Sequence, residues 1–83
     1  MNVRTTDYQT KDSIPPDEAL AEALARMRPA LTSRARTIVG NRSDAEDAVQ
    51  EAAVRAWRSR WRLRSGADPA PWLQTIVTRT ALD

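Results

Sequence analysis

Near the middle of the chain, two carboxylate side chains and one amide side chain are spaced so that a helix would bring them together. In a helix, Asp47, Gln50 and Glu51 lie on one face. Val54 follows one turn later and adds an apolar side chain to that face. Carboxylates beside an apolar patch can hold the arginines of a partner protein while the apolar part excludes water. This combination is typical of a protein-docking face.

Tryptophans on the same face leave a second interpretation open. Trp57 and Trp61 extend its apolar part. They either join a docking surface or pack against other helices of a small bundle, with the carboxylates forming an ordinary solvated first turn that complements the helix dipole. The spacing alone favours the second interpretation, because a lone apolar stripe on a helix usually belongs to the core.

The helix that positions these residues is predicted to run from Ser43 to Trp61. Ser43 is a suitable N-cap, and Glu46 three residues later completes a capping box that satisfies free backbone N–H groups. The opposite stripe is rich in alanine, which allows a neighbouring helix to approach closely. This predicted core stripe comprises Ala45, Ala48, Val49, Ala52 and Ala56.

A long helical pattern precedes this helix. It begins around Asp17 and carries apolar residues at every third or fourth position. Because proline removes a hydrogen-bond donor and clashes with the preceding turn, Pro29 predicts either a sharp kink or two separate helices. Gly40 and Asn41 form a C-cap signal that ends this unit. The apolar residues are Leu20, Leu24, Met27, Leu31, Ala35 and Ile38.

The last predicted helix begins at Pro69, with Asp68 as its cap. Because Pro71 also lies in the first turn, the start could fall one or two residues later. Its apolar side carries Trp72, Leu73, Ile76, Val77 and Thr80. Short polar side chains and an arginine on the other side could contact base edges or phosphates, although an ordinary polar outer face is the simpler interpretation. This strip is Gln74, Thr75, Thr78 and Arg79.

Composition predicts one small all-α domain. The chain has 83 residues, two glycines and no strand-like alternation, so a compact bundle of three to four helices is the economical fold. Residues 1–16 are predicted to be a flexible tail, because they are polar and lack periodicity. Residues 17–83 then form the domain.

Several function classes are disfavoured by composition. Cysteine and histidine are both absent, which removes thiolate chemistry, soft or imidazole metal ligands and the commonest general base. We therefore expect no metal site, no cofactor and no enzyme activity. No apolar run approaches a membrane span and the N-terminus lacks the apolar core of a signal peptide, so a cytoplasmic protein without membrane insertion is expected. All but one of the 13 basic residues are arginine, which suits phosphate contact.

An ordered set of motifs resembles a known family. The octet Asp-Ala-Glu-Asp-Ala-Val-Gln-Glu at residues 44–51 is followed by Ala-Trp at 56–57, Trp-Leu at 72–73 and Ala-Leu-Asp at 81–83. In order and spacing these motifs resemble the second domain of bacterial RNA polymerase sigma factors, specifically the extracytoplasmic-function (ECF) group. The resemblance runs from about Leu20 to Asp83.

The resemblance implies a transcription-initiation module that binds the clamp helices of the polymerase β′ subunit and recognises and melts the promoter element nearest the start site. Carried over residue by residue, the clamp contact falls on Asp47, Gln50, Glu51 and Val54. Contacts with promoter DNA, chiefly the opened non-template strand, fall on the end of the central helix and on the last helix, with residues 65–70 as a loop that could hold a flipped base. The DNA-binding residues are Arg58, Arg60, Trp61, Arg62, Arg64, Trp72, Gln74, Thr75, Thr78 and Arg79.

Two departures from the family pattern limit what is carried over. Many relatives have an asparagine where this chain has Arg79, so the promoter sequence is not transferable. The chain stops at Asp83, so we expect the second, helix-turn-helix promoter-binding domain of a complete sigma factor to be absent, with the chain being either an excised domain or a natural stand-alone piece. An alternative function is therefore a sigma-like adaptor or decoy that engages polymerase or an anti-sigma factor without sequence-specific DNA binding. An anti-sigma factor is a candidate partner under either function.

Overall fold

Three α-helices and one short 3₁₀ helix make up the fold. The structure, a computed structural model, describes residues 16–64 and 66–83. In chain order the helices are α1 (Pro16–Val39), α2 (Arg42–Arg58), the 3₁₀ helix (Arg60–Arg62) and α3 (Ala70–Leu82). Each α-helix packs against the other two, and these residues include no strand, which confirms the predicted all-α bundle. The predicted tail, residues 1–16, lies outside the described residues except for Pro16.

The core is built from the inward stripes of the three α-helices. α2 contributes the small residues predicted for its stripe, of which Ala48 alone is only half-buried. Their small size leaves room for the leucines of the two neighbouring helices, each of which contributes roughly 1.5–3 kcal/mol when fully buried. The largest fully buried side chains are Leu20, Leu31, Leu73 and Val77.

Pro29 lies inside α1, which continues as one helix on both sides of it. The prediction of two separate helices is therefore wrong. Met27 and Leu31 are both buried in the core, so packing on either side offsets the backbone hydrogen bond that the proline cannot donate. Pro29 itself is exposed, so its ring displaces no core side chain.

The N-cap of α2 is Asn41, so the prediction of Ser43 as the cap is wrong. Gly40 has a left-handed φ of 92°, which ends α1 and turns the chain into the extended Asn41. The Asn41 Oδ1 accepts a hydrogen bond from the Asp44 backbone N–H at 2.8 Å, and its Nδ2 donates to the Asp44 carboxylate at 2.9 Å. Ser43 falls inside the first turn, where it cannot cap.

α2 ends at Arg58 and not at Trp61, the end predicted from the sequence. The Ser59 N–H donates to the carbonyl oxygens of Arg55 and Ala56, both at 3.1 Å, and this tight turn leads into the 3₁₀ helix. Ala56 is the last buried residue of α2, so no core contact supports a longer helix.

α3 begins at Ala70, one residue after Pro69, within the range that the sequence allowed. The N-cap is Pro69, so the prediction of Asp68 as the cap is wrong, although the Asp68 Oδ1 accepts a hydrogen bond from the Ala70 N–H at 3.0 Å just before the helix. In the preceding loop, Gly66 has a φ of 85°, whereas Ser65 lies outside the described residues. None of the described helices is both long enough and apolar enough to cross a membrane.

Candidate functional site

The first candidate surface is the acidic face, which we define as Asp47, Gln50, Glu51 and Val54 of α2. All four residues are exposed, and Val54 keeps 49% of its surface accessible although it is apolar. The opposite stripe of α2 is buried in the core, so the acidic face points away from the bundle. These side chains are therefore accessible to a partner protein.

Two tryptophans lie beyond the acidic face at the end of α2 and in the 3₁₀ helix. Trp57 is 41% exposed and Trp61 is 74% exposed, so the interpretation that assigns them to the core is wrong. Arg60 lies over the Trp57 ring, with its guanidinium carbon 4.4 Å from the ring centre, and Arg62 lies 5.1 Å from the Trp61 ring centre. These cation–π contacts interleave positive charge with aromatic surface.

Arg60 is also engaged in two internal hydrogen bonds. Its Nε donates to the Asp17 carboxylate at 3.0 Å, and its Nη1 donates to the Trp57 carbonyl oxygen at 2.7 Å. The side chain consequently ties the 3₁₀ helix to the first turn of α1. Arg60 was predicted to contact DNA, but hydrogen bonds within the domain already occupy much of its guanidinium.

Arg55 links the acidic face to the end of α3. It donates to the carboxylates of Glu51 at 3.1 Å and Asp83 at 2.9 Å, and to the Thr80 hydroxyl at 3.3 Å. The hydrogen bond to Asp83 is the main cause of a raised pKa for Arg55; desolvation opposes it and Glu51 reinforces it. The hydrogen bonds of Arg55 therefore connect Glu51 on the α2 surface with the end of α3.

The polar strip of α3 divides into two halves. The Gln74 Oε1 accepts a hydrogen bond from the Arg34 Nε at 2.6 Å, and the Thr78 Oγ1 accepts one from the Arg34 Nη1 at 3.4 Å. Thr78 also donates to the Gln74 carbonyl oxygen at 2.8 Å. This half of the strip therefore bridges α1 and α3, and both of its side chains are partly buried.

The other half of the strip faces a basic groove. Thr75 and Arg79 are exposed and lie along a groove of about 210 Å³ between α2 and α3. We call it the α2/α3 groove. Three arginines, hydroxyl groups and one partly buried indole supply cations, polar contacts and an aromatic surface in the same place. Its lining comprises Arg55, Ser59, Arg62, Trp72, Thr75, Ile76, Arg79 and Thr80.

A second groove lies beside the loop before α3. We call this space of about 420 Å³ the loop groove, and Trp72 lines both it and the α2/α3 groove. Arg62 also lines both grooves, and Arg64 adds one further cation to the loop groove. Arg58 and Trp61 line a neighbouring groove with Arg60. The predicted DNA-binding arginines and tryptophans are therefore adjacent along one edge of the bundle, from the end of α2 to α3.

Sequence reasoning missed three residues that line or support this surface: Arg34, Asp17 and Arg55, the last of which lines the α2/α3 groove. Arg34 fixes Gln74 and Thr78 across the bundle, and Asp17 fixes Arg60. Their partners lie 40 or more residues away in sequence, so no local pattern indicates them. The available signal is weak: Arg34 directly precedes the core residue Ala35, a position from which a long side chain can reach a neighbouring helix.

Metal ligands are not grouped in the described part of the chain. Residues 16–64 and 66–83 contain no cluster of three or more histidine, cysteine, aspartate or glutamate residues that could hold a metal ion. The acidic side chains of α2 are spread along an exposed helix face.

Comparison with known protein families identifies the domain. A family model described as Sigma-70 region 2 matches residues 23–83, which cover all of α2 and α3 and most of α1. The chain belongs to this family. Sigma-70 region 2 binds core RNA polymerase and melts the promoter −10 element, and it is a transcription-regulatory domain and not a family of catalytic enzymes. No curated protein and no solved structure matches the chain.

Proposed function

We propose that this sigma region 2 domain belongs to the ECF group and docks on the clamp helices of the polymerase β′ subunit through its acidic face. Membership of the family gives polymerase binding and promoter melting as the general function. The exposed carboxylates around Val54 are the observation that supports this surface for the clamp. Asp47 and Glu51 would form ion pairs with arginines of the clamp, and the Gln50 amide would donate or accept a hydrogen bond beside them. Val54 would exclude water from these contacts.

The opened non-template strand would lie along the arginine–tryptophan edge. Arg58, Arg62 and Arg64 would contact phosphates, while the indoles of Trp61 and Trp72 would stack on unpaired bases. The loop groove offers space beside Trp72 for a flipped base. The proximity of cations and exposed rings supports this assignment, because a melted strand presents both phosphates and unstacked bases.

The internal contacts refine the set of DNA-binding residues. Thr75 and Arg79 face the α2/α3 groove and are the parts of the α3 strip that we assign to DNA. Gln74 and Thr78 are held by Arg34, so we assign them to the α1–α3 contact. Arg60 is hydrogen-bonded to the Asp17 carboxylate and to the Trp57 carbonyl oxygen. We therefore assign it mainly to positioning the 3₁₀ helix, with only a peripheral contact to DNA.

Charge reversal on the acidic face tests clamp docking. The domain would be titrated with an isolated β′ clamp-helix fragment as wild type and as Asp47→Arg and Glu51→Arg variants whose helical circular dichroism is unchanged. Each reversal should weaken binding by at least about thirtyfold, or roughly 2 kcal/mol, because it replaces attraction with repulsion at a desolvated contact.

Glu22→Arg is the matched control, because Glu22 is an exposed carboxylate on α1 that pairs with Arg26, away from the acidic face. It should bind like the wild type to within about twofold. Equal binding by all four proteins, or loss of binding in the Glu22→Arg variant as well, would exclude the acidic face as the specific contact.

A second candidate function is an adaptor that binds polymerase or an anti-sigma factor without recognising DNA sequence. The observation that favours it is the engagement of Gln74 and Thr78 by Arg34, which withdraws two polar side chains from base recognition. A salt-sensitive gain of affinity for a promoter strand when polymerase is bound would support the initiation module. Absence of that gain, with clamp binding intact, would support the adaptor.

A further inference from the structure

A further groove, which we call the α1/α2 groove, lies apart from the three described above. It is open, has a volume of about 490 Å³, and shares no lining residue with the α2/α3 groove or the loop groove. Only Gln50 connects it with the acidic face. Its polar lining includes Arg28, Thr32, Ser33, Arg36, Arg42 and Gln50.

The charge of this groove is strongly positive. Arg28 and Arg36 line it from α1, and Arg42 lines it from α2. The single carboxylate in the lining, Glu46, is paired with Arg42 at 3.1 Å. Among the ion pairs and side-chain hydrogen bonds of residues 16–64 and 66–83, Arg28 and Arg36 have none. Two guanidinium groups and nearby hydroxyls are therefore available to an anionic partner.

The groove favours carboxylates of a protein over a nucleic-acid strand. It has no aromatic lining residue, so unpaired bases would find no stacking surface there. Glu46, the one carboxylate in the lining, would oppose a continuous row of phosphates. A protein surface with separated charges of both signs avoids that repulsion.

The position of Gln50 indicates which protein would occupy the groove. This residue is shared by the acidic face and the groove wall, so a partner that covers Asp47 and Glu51 also reaches the groove entrance. We propose that the α1/α2 groove receives carboxylate side chains from the same clamp segment whose arginines meet the acidic face. This inference rests on the proposed function and extends it to the chemistry of the partner.

A partner recognised in this way carries both charge signs in a fixed order. Its basic residues would face Asp47 and Glu51, and its acidic residues would face Arg28 and Arg36. A reversed orientation would place like charges together on both sides of Gln50. The two surfaces together would set the orientation in which the clamp docks, which is a property that neither surface supplies alone.

Alanine substitution of the unpaired arginines tests this inference. Arg28→Ala and Arg36→Ala should each weaken binding of the β′ clamp-helix fragment by about threefold, and the double variant by about tenfold, as expected for exposed charge contacts. Arg26→Ala removes the same charge from the same helix outside the groove and should have little effect. The double lysine variant should bind more tightly than the double alanine variant, because it keeps the charge.

The outcomes separate this inference from the proposed function. If Glu51→Arg abolishes clamp binding while the double alanine variant binds like Arg26→Ala, the acidic face stands and the groove inference is overturned. If the double alanine variant loses affinity for single-stranded DNA and not for the clamp, the groove binds nucleic acid and the inference is again overturned. If the wild type itself does not bind the clamp, both fall.

Discussion

Gln74 illustrates how a neighbouring side chain limits what a residue can bind. Bidentate recognition of adenine by glutamine uses both the amide oxygen and the amino group. In this bundle the oxygen already accepts a hydrogen bond from Arg34 at 2.6 Å. This bond holds the partly buried amide against Arg34, so we expect Gln74 to stabilise the contact between α1 and α3 and to contribute little to promoter recognition.

Arg79, by contrast, should contribute to DNA affinity. Arg79→Ala should weaken binding of a mixed-sequence single-stranded oligonucleotide and should reduce the slope of log affinity against log salt by about 0.7, because one phosphate contact is lost. Gln74→Ala, on the same helix, should leave the affinity within about twofold. Salt titrations followed by fluorescence anisotropy measure both effects. A larger loss for Gln74→Ala than for Arg79→Ala would show that the two halves of the strip are assigned the wrong way round.

The exposed site residues were the more predictable ones. Spacing alone indicated that Asp47, Glu51 and Val54 share a face of α2, because helical geometry fixes that relation once the helix exists. The hydrogen bonds of Arg34 and Arg60 with other elements could not be predicted, because they depend on which residues meet in the packed bundle. Sequence periodicity specifies faces of one helix and leaves the pairing between helices undetermined.

The sequence predicted which segments are helical more accurately than it predicted the residues at which each helix begins and ends. Both Asn41 and Ser43 are good N-cap residues, so local chemistry alone does not choose between them. The left-handed Gly40 decides, because it ends α1 and leaves Asn41 in the extended conformation that a cap requires. Packing likewise overrides the expectation at Pro29, where buried residues on both sides keep α1 continuous.

The choice of cap has a measurable consequence. Asn41→Ala should lower the free energy of unfolding by about 1 kcal/mol, because the Asp44 N–H loses its side-chain acceptor. Ser43→Ala should change it by less than about 0.5 kcal/mol, since Ser43 is an exposed residue of the first turn. Urea denaturation followed by circular dichroism gives both values. The reverse order of effects would identify Ser43 as the operative cap.

The whole molecule presents a different surface between each pair of helices. The α1/α2 groove is basic and adjoins the acidic face, and the α2/α3 groove combines cations with the indole of Trp72. Between α1 and α3, Arg34 bridges the two helices. The all-α bundle followed from composition and periodicity. The division of the surface into these grooves could not be predicted in the same way, because it depends on the angular position of each helix in the bundle.

We propose that polymerase and the promoter strand bind separate surfaces of one small domain. The most direct test measures two affinities, for the β′ clamp-helix fragment and for single-stranded DNA, in an Asp47→Arg/Glu51→Arg double variant and an Arg62→Ala/Arg79→Ala double variant. The first variant should lose clamp binding and keep DNA binding. The second should keep clamp binding and lose at least about tenfold in DNA affinity. Loss of both affinities in either variant, with helical content unchanged, would contradict the separation of the two surfaces.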